Sequence, residues 1–429
     1  MNFYEPADVQ SKIAAVLLQR FAIGDGKHVA GETDFLLDLG LDSMQMVQIL
    51  VDLEMQHCIQ VPESALNKDD FSNVATLVKK LCSIPQEGVA DVSTVSQEEL
   101  DIKVHCVVSC LCNALKLRGI DHRPMYFGVW DAEIFIDEAG FLSYHSNKVD
   151  HEFFIRWYEQ LYGISVESWY DPGRSQRANL EHLKSLLQNR QVDEWIMVML
   201  DLFQLPEREN KFNKNPFPHY VMLENLDDPE KIWMWDPDFR WQGELDKSRV
   251  LHAILQPSVA GGYRFRSHQA RTPKPADVLA YFYSSIKFND NPMTDRVRDV
   301  VRLHRENPKR LTDLGKALRE LPVLAIRKYA YEHGFAFFWR DLQLEPAIFE
   351  SWCDEIERLV KTYDKVQFVA MKYASQKDLD DLAQLQQLLD EQDQREFSIK
   401  AGLLEVARRW QQKYGLQWGD KYSSKEAAL

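Results

Sequence analysis

Four side chains in this sequence have the types and spacing to handle an acyl group: Ser43, Cys106, His219 and Asp236. Ser43 follows the apolar run Phe35-Leu36-Leu37-Asp38-Leu39-Gly40-Leu41-Asp42, and Met44, Val47, Leu50, Val51 and Glu54 come after it at helical spacing. It therefore opens an amphipathic helix. A phosphate ester on its hydroxyl would lie at the helix N-terminus, where free backbone N–H groups favour an anion. Cys106 stands in Val104-His105-Cys106-Val107-Val108-Ser109-Cys110, at the start of a helix expected over 106–117 and ended by Gly119. Helix dipoles at that position favour a thiolate. His219 begins one strand of an expected hairpin and Asp236 closes the other, with Asp227-Asp228-Pro229-Glu230 as the turn. A turn centred near Asp228 sets His219 opposite a residue between Asp236 and Asp238. One carboxylate can then fix the imidazole tautomer and leave the other ring nitrogen for the thiol. A Cys–His–Asp set of this kind can accept an acyl group from a thioester, because the attacking and leaving thiolates are similar in energy, and then pass it to an amine.

The neighbouring cysteines read differently. Cys110, on the same helical face as Cys106, is expected to be a small buried hydrophobe. His105, Cys106, Cys110 and Cys112 do not share one face and contain no CxxC pair, so no metal is expected there.

These residues must be positioned by several folded units, since 429 residues divide into about two to four domains. Residues 1–82 read as a small helical domain with helices over 11–22, 43–57 and 73–81. The last follows a cap region at Asp69-Asp70-Phe71-Ser72. The stretch 83–100, with Ser83-Ile84-Pro85-Gln86-Glu87-Gly88, reads as a flexible linker. Residues 101–268 combine the helix at Cys106 with strands over 195–200, 219–226 and 231–235, an α+β arrangement. From 269 to 429 the pattern is helical, over 278–286, 295–306, 311–320, 324–333, 347–363, 379–392 and 398–414, with Pro308, Pro322 and Pro346 near boundaries. Phe335, Phe337, Phe338 and Trp339 read as core.

The net charge of −15 argues against nucleic acid as a partner and is compatible with a cationic one. Arg296, Arg298, Arg302, Arg305, Lys309 and Arg310 form a basic run that could either face solvent or meet an acidic partner surface. No run of about eighteen apolar residues exists, so no membrane span is expected. Met1–Gln10 lacks a basic, then apolar, leader pattern. With six cysteines in a chain this long, a reducing cytoplasmic setting is expected.

On Leu39-Gly40-Leu41-Asp42-Ser43-Met44 and its flanking helices, residues 1–82 resemble the acyl carrier protein family. The resemblance implies a four-helix domain with 4′-phosphopantetheine on Ser43, attached by a phosphopantetheinyl transferase. His105-Cys106, Asn113, Leu115, Gly119, Phe127-Gly128, Asp201-Leu202-Phe203-Gln204-Leu205-Pro206, Pro218-His219-Tyr220-Val221 and Trp235-Asp236-Pro237 are similar to the butirosin biosynthesis protein H family. Those proteins resemble papain-like cysteine enzymes. The resemblance implies Cys106 as nucleophile, His219 as base and Asp236 as its orienting acid, with transfer from a carrier protein to an amine. The chain departs from that family at Val129-Trp130-Asp131-Ala132-Glu133, where a glycine-containing loop is usual, so its acyl or acceptor specificity is expected to differ.

Length and order further resemble a fusion of the aryl carrier protein and the polyamine acyltransferase of petrobactin biosynthesis. That implies an aryl thioester such as 3,4-dihydroxybenzoyl, a polyamine such as spermidine, and an aryl-activating adenylation enzyme as partner. Asp131, Glu133, Asp201 and Glu224 are then the candidate amine-binding carboxylates. Two other readings use the same residues: a thioesterase or peptidase with water as acceptor, and a non-catalytic scaffold that presents the carrier.

Overall fold

Apolar residues at i, i+4, i+7 and i+8 in the first helix leave one face that must find a partner, and the structure supplies it. The computed structural model describes residues 5–21, 32–33, 49, 53, 59, 73–83, 105–144, 151–208, 215–307 and 309–416. The chain divides into two units, Met1–Glu99 and Leu100–Leu429. In the first, α1 (Pro6–Phe21) buries Val9, Ile13, Val16 and Leu17. It packs against α2 (Val74–Ser83), which buries Val74, Leu77, Val78 and Leu81. Ile49, Leu53 and Ile59 are buried with them. The α2 cap is Asn73, further along than the expected 69–72 region. Its Oδ1 accepts from Thr76 N at 2.9 Å, and its own N–H donates to Thr76 Oγ1 at 3.1 Å. Ser43 and nearly all of the helix expected over 43–57 lie outside the described residues, as does linker 84–100.

The second unit begins with α3 (Cys106–Lys116), which ends before Gly119 at φ +67. Then come β1 (Phe135–Ile136), β2 (Leu142–Ser143), α4 (Glu152–Tyr162), β3 (Val166–Ser168) and α5 (Gln176–Gln188). The long strands follow: β4 (Glu194–Asp201), β5 (Pro218–Asn225), β6 (Lys231–Asp236) and β7 (Trp241–Asp246). After α6 (Lys247–Ile254), β8 (Gly262–Arg266) completes the main sheet, ordered β3-β8-β4-β5-β6-β7 with every neighbouring pair antiparallel.

Period-two alternation gives this sheet two apolar faces. Ile196, Val198, Leu200, Val221 and Leu223 face one core with Leu180, Leu183 and Leu187 of α5 and Val250 and Ala253 of α6. Met197, Tyr220 and Met222 face another, which holds α3 and the helices beyond residue 270. The protein is thus α+β, with an antiparallel sheet between helical layers.

The remaining helices are α7 (Pro275–Ser285), α8 (Pro292–Arg305), α9 (Leu314–Ala317), α10 (Leu321–Ala325), α11 (Ala330–Leu342), α12 (Pro346–Gln376) and α13 (Leu379–Lys413). They share their core with residues 106–165. Trp130 stacks on Tyr331 at 5.0 Å between ring centroids, and Phe127 on Phe338 at 5.6 Å. Gly334 permits that approach, because a Cβ there would lie 2.9 Å from the Trp130 ring.

Two expectations need correction. Helices expected separately over 379–392 and 398–414 are one continuous α13. Gly402 lies inside it without ending it, and the residues between the two expected helices continue the turn, with Glu396 buried. The expected helix over 324–333 is instead α10, a 3-10 turn at Ile326–Tyr329, and α11. The tighter turn buries two adjacent cations, Arg327 and Lys328, in different surroundings.

Candidate active site

The β5–β6 hairpin pairs Met222 with Trp235 and Leu223 with Met234, and this register carried onward brings His219 level with Asp238. The chain turns sharply after Asp236, which caps a 3-10 turn at Pro237–Phe239. Asp236 is therefore swung toward the ring: its Oδ1 lies 2.8 Å from His219 Nε2. Arg208 Nη2 donates to its Oδ2 at 2.9 Å, with the guanidinium stacked over Trp241 at 3.9 Å. All three polar groups are buried.

His219 Nε2 being engaged, Nδ1 remains for Cys106, which is within hydrogen-bond reach of the imidazole. Burial alone would lower the His219 pKa. The charge and hydrogen bond of Asp236, joined by the hydrogen bond to Cys106, outweigh it and raise it well above 6.5. Burial would likewise push the Asp236 carboxyl up, but His219 and Arg208 hold it below the usual carboxylate value.

Cys106 is held by the start of α3. His105 is the N-cap, accepting from Val108 N at Nδ1 and from Ser109 N at its carbonyl. The amides of Cys106 and Val107 are the helix-end donors left over, beside the sulfur. Asp238 fixes this terminus to the sheet: its Oδ1 accepts from His105 N at 3.1 Å and from Ser109 Oγ at 2.8 Å. Cys110 is fully buried, and that burial, with the nearby Cys106, pushes its thiol well above 9.0. Cys112 is buried too.

Cys106 opens onto a cavity of about 310 Å³. One wall is the backbone of Ala260–Gly262. Gly261, at φ +147, lets the Tyr220 hydroxyl approach, since a Cβ would stand 2.2 Å from it. Tyr220 is hydrogen-bonded to Tyr263, whose hydroxyl lies 3.3 Å from His151 Nδ1. Tyr144 and Arg327 also line it. Sequence reasoning identified neither Arg208, Asp238 nor Arg327. Only the placement of Asp238 opposite His219 in the hairpin hinted at one of them.

The structure brings Cys106, His219 and Asp236 together and does not bring the four candidate amine-binding carboxylates to them. None lines the cavity. Asp131 is buried between Lys328 at 3.6 Å and Lys400 at 3.0 Å, in a cluster that also contains Glu396. Its Oδ2 accepts from Lys287 N at 2.8 Å. Asp201 is buried as a turn cap, with Oδ1 accepting from Phe217 N at 2.7 Å and Phe203 N at 3.2 Å. Glu224 pairs with Arg190 at the other end of β5, and Glu133 is exposed. The basic run is also largely engaged within the unit: Arg298 bridges Asp390 and Asp393, and Arg296 and Arg302 share Asp299.

Among the described residues no helix is long and apolar enough to cross a membrane. No group of three His, Cys, Asp or Glu among them is placed to hold a metal ion.

Three family models match the chain. One described as the phosphopantetheine attachment site covers residues 11–81, the DUF6005 N-terminal domain covers 101–270, and the DUF6005 C-terminal domain covers 276–422. Petrobactin synthase of Bacillus anthracis is 39% identical over 314 residues, which is 72% of this chain and 96% of that protein. Acyl carrier protein 3, chloroplastic, of Hordeum vulgare is 36% identical over 77 residues, 18% of this chain and 58% of that protein.

Proposed function

The chain belongs to the petrobactin synthase family, with a phosphopantetheine-attachment domain ahead of it, and on that premise we propose that it is an amide-forming acyltransferase of siderophore biosynthesis. The acyl group is an aryl one, 3,4-dihydroxybenzoyl in our reading, and the acceptor is a polyamine such as spermidine. The observation that carries the reading is the buried imidazole held between Asp236 and Cys106 at the mouth of a cavity.

Phosphopantetheine, when bound at Ser43, supplies the acyl group as a thioester; Ser43 itself lies outside the described residues. Ile49 and Leu53, four residues apart, are both buried, as one face of an amphipathic helix requires. Cys106 and His219 do the chemistry. The Cys106 sulfur attacks the thioester carbonyl carbon, and the amides of Cys106 and Val107 steady the oxygen as it gains charge. The imidazolium of His219, kept charged by Asp236, gives its proton to the departing thiol. The acyl group is then on Cys106. A neutral amine nitrogen attacks it, the bond to Cys106 breaks, and His219 takes the nitrogen's proton. The products are an amide and the regenerated Cys106–His219 pair.

The test uses full-length protein loaded with the acyl arm, incubated with and without spermidine, and read by mass spectrometry. Amide in wild type, and its loss in Cys106→Ala with carrier loading intact, is the expected result. Free acid without amide would make the protein a hydrolase. No turnover with any amine would make it a carrier-presenting scaffold.

A further inference from the structure

A buried guanidinium normally has a carboxylate beside it, because an unpaired charge is costly to take out of water. Arg327 breaks this pattern. It is 7% exposed, lines the cavity beside Cys106, and makes no ion pair among the described residues. Its Nε is buried without an acceptor. The Tyr144 ring lies 5.1 Å from its guanidinium carbon, and Cys106, Asp238 and Glu320 act on it only through space. Burial works against its charge. This cation is kept where it costs stability, inside the chamber that receives the substrate.

The rest of the chamber narrows what could satisfy it. Tyr144, Tyr170, Tyr220 and Tyr263 make the lining aromatic, and His151 adds a polar ring close to the Tyr263 hydroxyl. Among the described residues no carboxylate lines it. A polycation would find nothing to neutralise it there and one like charge to repel it. A flat ring with an oxygen acceptor fits: the ring packs among the tyrosines, and the oxygen accepts from the fork of donors on Arg327.

We propose that this cavity is the acyl pocket and that Arg327 selects acyl groups whose aromatic ring carries an oxygen substituent, the amine entering from another side. The inference rests on the acyltransferase reading and deepens it by assigning one wall of its site. It also gives the helices beyond residue 270 a part in specificity, since Arg327 comes from the 3-10 turn at Ile326–Tyr329.

Two measurements on the full-length chain test it. In the first, binding of 4-hydroxybenzamide and of benzamide is compared by saturation-transfer NMR, with no chemistry involved. The hydroxylated ring should bind about tenfold more tightly to wild type, as expected for a hydrogen bond to a charged donor. That preference should fall to within about twofold in Arg327→Met and be partly restored in Arg327→Lys. In the second, Ser43 is loaded with the 4-hydroxybenzoyl or benzoyl arm and consumption with spermidine is timed. The ratio of the two rates should collapse in Arg327→Met. Equal binding of the two amides by wild type overturns the proposal, as does an unchanged preference in Arg327→Met. A binding preference that depends on Arg327, with no acyl transfer to any amine, would support the pocket and reject the acyltransferase. Thermal melting of each variant identifies one that fails to fold, in which case Arg327→Lys and Tyr144→Phe carry the comparison.

Discussion

Replacing Asp236 with Asn separates the two jobs of that carboxylate. It is fully buried, 2.8 Å from His219 Nε2 and 2.9 Å from Arg208 Nη2. Asn keeps the size but removes the charge, so Arg208 is left buried and unpaired, which costs about 3–5 kcal/mol. For a unit of this size that corresponds to a fall in melting temperature of roughly 4–7 °C. The same change takes away what raises the His219 pKa, and it allows the wrong tautomer, with an N–H on Nδ1 where the thiol needs an acceptor. Transfer should fall by about 10²–10⁴-fold. Arg208→Met added to Asp236→Asn removes the stranded cation, so the double variant should regain most of the lost stability. It should regain none of the lost activity, because His219 still lacks its orienting charge. Melting curves and single-turnover transfer from an acyl-loaded carrier read the two effects. Recovery of activity along with stability would refute the reasoning, since Asp236 would then be only the counter-ion of Arg208. So would a transfer rate within about threefold of wild type in the single variant.

Other outcomes follow from the same geometry. Ser43→Ala should fail to gain the mass of a phosphopantetheine arm when treated with a phosphopantetheinyl transferase and coenzyme A. Asp238→Ala should cost about 2–3 kcal/mol and slow acyl transfer, because the N-terminus of α3 loses two hydrogen bonds; Asp238→Asn, which can still accept, should cost clearly less on both melting and rate. The native His219 pKa lies well above 6.5, so its pairing stabilises the fold fully below about pH 6.5, where the unfolded chain is also protonated, and loses that contribution as pH rises through the native value. The melting-temperature gap between wild type and His219→Gln should therefore shrink at alkaline pH, and a gap that widens there would contradict the sign. Asp131→Asn should lower the melting temperature by breaking up the Lys328–Lys400 cluster and leave the spermidine KM unchanged, a shifted KM being the result against it.

Local features of this protein were legible in its sequence because their causes are local. The end of the helix at Cys106 is signalled by Gly119, and the hairpin by Asp227-Asp228-Pro229-Glu230. The offset between His219 and Asp236 follows from counting through that turn. The groups that hold the site were not legible, because their partners are far apart in the chain. Asp131 reads as a candidate amine-binding carboxylate until Lys328 and Lys400 fold onto it. Arg327 and Lys328 are neighbours in sequence, and only the 3-10 turn sends one to the cavity and the other to the ion cluster. Strands β3 and β8 are short and depend on their pairing, not on a strong alternation of their own.

The stacking of Trp130 on Tyr331 has a consequence for how this chain can be divided and recombined. Family models break between residues 270 and 276, yet the packed rings, the Lys328–Asp131 contact and the Arg327 wall all cross that break. A fragment ending near 270 would expose a broad aromatic face and lose one side of its chamber, so expression of residues 101–270 alone should yield aggregate. Swapping the downstream half for that of a relative should succeed only when the residues at 130 and 131 travel with it, since they meet Tyr331, Gly334 and Lys328. The two halves are therefore inherited as one piece, and a cut that engineers could use lies upstream, between Glu99 and Leu100, where the two units part.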